Sequence, residues 1–194
     1  MKKSLLALTL LAALPFAASA AEGISYNYVQ GGYVATNNDD KNGAANSDAD
    51  GWGLDGSVAV HPNFHLFGGY AKQELKDFNV DFDQWRVGVG YNHEIAPKAD
   101  LVTRIAYEKL DADLMDFDGW SAEVGVRGSL LPNLEGYAMA GYEDYKGDYG
   151  IDVDGDFYGR LGAQVKFNQN WGVSTDVKFA DGDTQWFVGP RLTW

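Results

Sequence analysis

The chain contains no cysteine, so neither a disulfide framework nor a thiolate metal site can hold it together. Histidine is scarce. Only His61, His65 and His93 are present, which leaves little material for acid–base or nucleophilic chemistry. Positive charge is short as well: 15 Lys and Arg stand against 28 Asp and Glu, a formal net charge of −13. A protein that acidic repels a phosphate backbone, which excludes nucleic acid as a partner. Beyond residue 20 no apolar run is long enough for a spanning helix. The mean hydropathy is negative, which a soluble protein would show equally well.

The single long apolar run lies at the start. Lys2 and Lys3 precede Leu5 to Leu14, then come Pro15 and the small residues Ala18, Ser19 and Ala20. This is the pattern of a secretory signal peptide with an A-x-A site, and the cut is expected after Ala20. The run is too short to span a bilayer, which argues against a retained anchor. Residues 1–20 are thus read as a signal peptide and 21–194 as one domain. With Lys2 and Lys3 gone, 13 basic residues face 28 acidic ones, a net charge of −15.

What fills the remainder is period-two patterning. In QWRVGVGYNH (84–93), Trp85, Val87, Val89 and Tyr91 alternate with Gln84, Arg86, Gly88, Gly90 and Asn92, the signature of a two-faced strand. The phrase recurs. DGWGLDGSV begins at Asp50, DQWRVGVGY at Asp83, DGWSAEVGV at Asp118, DFYGRLGAQ at Asp156 and, more weakly, TQWFVGPRL at Thr184. Between these runs stand phrases ending in tyrosine: GGY at 31–33, GGY at 68–70, IAY at 105–107 and AGY at 140–142. Ten strands follow, at roughly 25–37, 50–61, 64–76, 82–92, 99–110, 118–129, 134–146, 156–167, 171–180 and 184–194. Tandem hairpins of this kind make an all-β, up-and-down antiparallel barrel. If the short 171–180 segment is not a strand of its own, an eight-strand closure is the alternative.

Two kinds of connection alternate. Those at Pro62-Asn63, Pro97-Lys98, Pro132-Asn133 and 168–170 are tight; those at 38–49, 77–81, 111–117, 147–155 and 181–183 are mostly longer and rich in Asp, Asn and Gly. Short turns at one end and long loops at the other match an outer-membrane barrel. The faces separate that reading from a soluble one. Trp52, Leu54, Val58, Leu66, Tyr70, Trp85, Val87, Ile105, Trp120, Val124, Leu161, Val173, Val177 and Trp186 share a side almost free of charge. The opposite side collects Asp55, Arg86, Arg104, Glu108, Glu123, Arg127, Glu143, Arg160, Lys166, Asp176, Lys178 and Arg191. In a barrel interior, charges of both signs must neutralise one another, so the expected lumen is closed or narrow. The chain end, with Gly189, Leu192 and a terminal Trp194, looks like the signal read by the β-barrel assembly machinery. In that pattern Trp stands where Phe is commonest, and Phe187 takes a usually polar place. Pro190 cannot donate a ladder bond and belongs where a strand is an edge.

The phrases ISYNYVQGGYV (24–34), WRVGVGYNHEIAPKADLVTRIAYEKLDA (85–112), EGYAMAGYEDY (135–145) and WFVGPRL (186–192) resemble a family of small outer-membrane barrels. It belongs to xanthomonad-type bacteria, was first described as the activator of a rice immune receptor, and is labelled diffusible-signal-factor regulated. The resemblance runs along the whole chain and implies a small outer-membrane barrel tied to biofilm, surface behaviour or virulence. It supplies no active site.

Candidate sites are few. In the 148–156 stretch Asp148, Asp152, Asp154 and Asp156 could offer carboxylate oxygens to Ca²⁺, without EF-hand spacing or its bidentate Glu. The plainer reading is a solvated acidic loop, bridged by divalent cations to lipopolysaccharide phosphates; the loop with Asp39, Asp40, Asp48 and Asp50 is similar. No other cofactor is expected. A lipid-modifying enzyme needs a nucleophile with a base, yet His61, His65 and His93 adjoin the short turns. There they read as interfacial residues at the wrong end for outer-leaflet lipid, and Ser57, Ser121 and Ser174 have no histidine at matching depth. The expectation is a non-enzymatic, monomeric barrel of the cell outer membrane, set in lipid and lipopolysaccharide. It would act as a structural or surface-interaction protein through acidic loops. A narrow porin-like channel lined by the interior arginines is the alternative.

Overall fold

Alternation dictates the architecture. The computed structural model describes residues 20–38, 48–75, 80–112, 115–147, 152–180 and 182–194. Its strands are β1 (Tyr28–Asn38), β2 (Ala49–His61), β3 (Phe64–Leu75), β4 (Val80–Ala96) and β5 (Ala99–Ala112), then β6 (Met115–Leu131), β7 (Leu134–Gly147), β8 (Asp152–Lys166), β9 (Trp171–Ala180) and β10 (Asp183–Thr193). Each pairs antiparallel with its neighbours in sequence, and β10 pairs with β1, so the sheet closes into a ten-stranded barrel. The eight-strand alternative fails because β9 is a full strand laddered to β8 and β10. Local chemistry sets the short turns. At 167–170, for example, Asn168 Oδ1 accepts from the Asn170 and Trp171 amides at 2.9 and 2.8 Å, an Asx turn that reverses the chain.

Several strands run further than periodicity implied. β5 and β6 pair up to Ala112↔Met115, and β8 starts at Asp152, so much of 111–117 and 147–155 is ladder rather than loop. In the β5 and β6 extensions the outward parity turns polar, with Lys109, Asp111, Asp116 and Asp118 lying beyond Tyr107 and Trp120, so the apolar run that marks the outer side stops short of the strand ends. At the far end β1 starts at Tyr28, three residues later than expected, for a reason that emerges inside the barrel.

The apolar side faces outward. Val87 is 62% and Ile105 56% exposed, whereas Arg127 and Glu135 are 4% and 3% exposed. Register carries one aromatic per strand into a ring around the barrel at the long-loop end: Tyr33, Trp52, Tyr70, Trp85, Tyr107, Trp120, Tyr142, Phe157, Phe179 and Trp186. Neighbours touch, with Trp52–Tyr70 and Tyr70–Trp85 centroids 5.3 and 4.6 Å apart and Tyr142–Phe157 at 5.1 Å. A second, sparser set lies at the short-turn end: Phe64, Tyr91, Phe167, Trp171 and Trp194. Along a strand the two sets are six (Trp85 to Tyr91) to ten (Phe157 to Phe167) residues apart. That is roughly 20–34 Å of strand, or about 15–25 Å of height at the ~40° tilt usual in barrels. All six tryptophans lie on this outer surface. Val177, on the same side, is covered where it packs in register between Leu161 and Trp186.

Closure occurs where backbone approaches most closely. The β1–β10 ladder lapses opposite Gly31 and Gly32, where Gly189 and Pro190 stand, while the β9 ladder continues through Pro190↔Val173. Pro190 thus spends its missing donor on the seam. A Cβ on Gly32 would fall 2.1 Å from the Val188 carbonyl oxygen, a backbone atom that cannot rotate away. Gly159 has open space around it. Gly32→Val is therefore expected to abolish the compact, fast-migrating species on an unheated denaturing gel, while Gly159→Ala retains it.

Candidate functional site in the barrel lumen

The inward positions form three levels. Nearest the long loops is a polar belt: Thr36 donates to Gln73 (2.9 Å), and Gln185 Nε2 donates to Gln84 Oε1 (3.0 Å) and Thr36 Oγ1 (3.3 Å). Just outside it, at the rim, Lys72 meets Asp81 at 2.7 Å and Lys109 bridges Asp111 and Asp116.

The middle level holds most of the charge. Arg86 on β4 reaches across β3 to Asp55 on β2, Nη2 to Oδ1 at 2.5 Å. It can do so because Gly69 lies between them; a Cβ there would sit 2.3 Å from Asp55 Oδ1 and 3.0 Å from Arg86 Nε. Arg160 donates to both oxygens of Asp176 at 2.9 Å, and Tyr137 donates to Asp176 as well. Lys178 meets Glu143 at 2.5 Å and lies 4.6 Å from the Tyr158 ring centroid. Glu108, opposite Arg86 in register, accepts from Ser121 at 2.7 Å instead.

The lowest level is denser. Arg104 contacts Glu123 at 3.3 Å and donates to His65 Nε2 at 3.3 Å. Arg127 donates twice to Glu135 Oε2, at 3.1 and 2.6 Å, and Lys166 pairs with the same carboxylate. Glu135 was absent from the expected interior set. Arg191 departs from the expected neutralisation. Its guanidinium lies 3.5 Å from the Tyr28 ring centroid and, among the described residues, has no ion-pair partner.

The floor is made by a segment that periodicity alone hides. Residues 20–27 turn into the short-turn end of the barrel before β1 begins. Gly23, at φ +84°, makes the bend, and Ile24 N donates to Ala21 O at 3.1 Å. Ala21, Ile24 and Tyr26 pack against Ala59, Val102 and Met139. The Tyr26 ring stacks on His65 with centroids 4.5 Å apart, its hydroxyl donates to Asp100 Oδ2 at 2.9 Å, and the Arg127 guanidinium lies 4.9 Å from its ring centroid. Asn27 ties the segment to the wall, accepting from Ala59 N at 2.8 Å and Trp194 N at 3.2 Å. His65 is thus fully buried inside the barrel, not interfacial, whereas His61 and His93 are exposed. Above the floor a cavity of about 360 Å³, bounded by Gln84, Arg86, Glu143, Tyr158, Arg160 and Gln185, extends toward the long-loop end.

Other expected sites are less assembled. Asp148 lies outside the described residues, as do Asp39 and Asp40 and the Asp152 side chain; Asp154 and Asp156 flank Gly155 on β8. Among the described residues no three acidic or histidine side chains gather as metal ligands. Ser57, Ser121 and Ser174 are buried, and Ser174 donates to Gln30 Oε1 at 2.9 Å rather than to a histidine. Gly189, Leu192 and Trp194 line the closing strand, Leu192 between Val29 and Trp171.

No protein-family model and no curated protein matches the sequence. Solved structures with a similar chain trace are outer-membrane barrels. OmpT of Vibrio cholerae, lacking loop L8, is 15% identical, with 84% of this chain and 59% of that one covered and a TM-score of 0.41. This chain therefore spans less than two thirds of OmpT. Ail, the attachment invasion locus protein of Yersinia pestis, is 14% identical over 88% of this chain and 100% of its own, TM-score 0.42. The KdgM porin is 14% identical over 86% and 99%, TM-score 0.45. At these values the likeness concerns barrel architecture alone.

The cross-strand pair at Gly69 gives a direct test. Removing one member of an enclosed pair leaves the other charge unmatched, whereas replacing both with apolar groups is close to neutral. Arg86→Met is expected to lower unfolding free energy in urea by about 2–3 kcal/mol, discounted for partial lumenal solvent. Adding Asp55→Leu should recover most of that loss.

Proposed function

We propose that the chain is a monomeric outer-membrane barrel with a sealed lumen, working as a structural or surface-interaction protein at its long-loop end. The observation that carries this reading is the pairing of an uncharged outer belt, ringed by aromatics, with an interior in which most ions meet an opposite charge. Lipid is the solvent that suits such an exterior. The outer membrane accommodates it best, because a closed barrel leaves no unpaired backbone edge in hydrocarbon. Gly189, Leu192 and Trp194 on the closing strand fit recognition by the assembly machinery. Membership in the small outer-membrane family that the sequence resembles, with its link to biofilm and surface behaviour, belongs to the same proposal.

The acidic connections at the long-loop end form the contact surface. Divalent cations, Ca²⁺ among them, would bridge carboxylates such as Asp154 and Asp156 to lipopolysaccharide phosphates. An enzymatic role would need a nucleophile–base pair, and the one buried histidine, His65, accepts at Nε2 from Arg104 within the floor. The cavity of about 360 Å³ favours a second reading as a narrow channel, but residues 20–27 and the Arg127–Glu135–Lys166 cluster stand in the solute's path.

Planar-bilayer recording separates the two. The barrel beginning at Ala21 is expected to be silent, and a variant lacking residues 21–27 to show unitary steps. Steady steps from the intact barrel would favour the channel and contradict the sealed lumen.

A further inference from the structure

Asp100 is fully buried, at 0% exposure, at the start of β5. One of its oxygens accepts from the Tyr26 hydroxyl at 2.9 Å and the other from the backbone nitrogen of Ala21 at 3.1 Å. Both are neutral donors while Ala21 N belongs to a peptide bond. Arg127, opposite Asp100 in register, is committed to Glu135 through two hydrogen bonds. Among the described residues no Lys or Arg side chain forms an ion pair with Asp100. Two neutral donors stabilise a carboxylate so enclosed less than a counter-charge would.

The sequence places the expected cut of the signal peptide at this nitrogen. Hydrolysis of the Ala20–Ala21 bond by an endopeptidase that takes small residues adds one water. Its oxygen goes to the Ala20 carbonyl carbon, which leaves as a carboxylate, and the Ala21 nitrogen collects protons to become an ammonium group. We propose that this new α-ammonium group of Ala21 is the counter-ion of Asp100, so that removal of the signal peptide locks the lumenal floor in place.

The surroundings fit a chain end. Ala21 is 1% exposed and packed with Ile24, Tyr26, Ala59, Val102 and Met139. The adjacent Glu22 N is fixed on Pro97 O at 2.9 Å, and Lys166 Nζ holds Gly23 O at 2.6 Å. The nitrogen therefore cannot drift from the carboxylate without dismantling the floor. Processing would convert one neutral hydrogen bond into a buried ion pair, a change available only to a chain starting at residue 21.

This inference rests on the exported-barrel reading, and the test keeps the two apart. Four chains are refolded in detergent: one starting at Ala21, one retaining Ala18–Ala20 ahead of it, and each again with Asp100→Asn. The temperature at which compact migration is lost is then measured. In the Asp100 background the extension is expected to lower that temperature by roughly 5–10 °C, as for loss of a buried pair. With Asp100→Asn the extension should change little. Equal effects in both backgrounds, or none in either, would overturn the proposal. So would an intact mass of the membrane-extracted protein that places its first residue anywhere but Ala21. Failure of the exported-barrel reading looks different, since then no chain would acquire heat-modifiable migration.

Discussion

A closed sheet offers each side chain only two destinations, and in this barrel the ionic ones go inward. That inversion is tolerable on one condition: every interior charge must find an opposite charge, a ring face or a hydrogen-bond donor, because an unmatched ion in an enclosed space costs several kcal/mol. Asp55–Arg86, Arg160–Asp176, Glu143–Lys178 and the Arg127–Glu135–Lys166 cluster meet it with counter-ions. Arg191 meets it with the Tyr28 ring. Glycine makes the arrangement geometrically workable. Gly69 lets an arginine cross one strand to its partner, and Gly162 leaves room for Tyr137, whose ring would lie 2.2 Å from a Cβ there.

Much of this architecture is written in local sequence. A recurring tryptophan-led phrase (DGW at 50–52, DQW at 83–85, DGW at 118–120, TQW at 184–186) marks four of the five even strands, and because hairpin register is set by tight turns, each recurrence lands at the same height. Trp52, Trp85, Trp120 and Trp186 therefore share one ring. Pro190 announces a seam through its missing amide. The interior side, too, follows from alternation once the apolar side is assigned outward.

Who pairs with whom is another matter. Arg86 stands opposite Glu108 but bonds Asp55 two strands away, and only the three-strand neighbourhood around Gly69 explains why. Glu135 and Asp100 sit at strand starts beside turns, where a carboxylate reads as solvated rim. His65 reads as rim for the same reason. Arg127 and Lys166 cover Glu135, and Asp100 and His65 are buried by a segment that has no periodicity of its own: residues 20–27 are too short and mixed to declare a side, and ISYNY looks like the opening of β1. The alternation Ile24, Tyr26, Tyr28 was the one available signal, since it places apolar groups on the parity that β1 turns inward. A small apolar core at one end of an otherwise ionic lumen thus divides the barrel into a dense floor and an open vestibule.

The inversion itself is open to one direct measurement. All six tryptophans lie on the outer surface near the two aromatic levels, so the barrel is refolded into vesicles of lipids brominated at known depths along the acyl chain and tryptophan emission is recorded. Strong quenching is predicted, greater for bromines near the headgroups than for those at the chain ends, with little added quenching by aqueous iodide. Emission unchanged by brominated lipid but quenched by iodide would contradict it, placing the apolar face against water or a protein core instead of lipid.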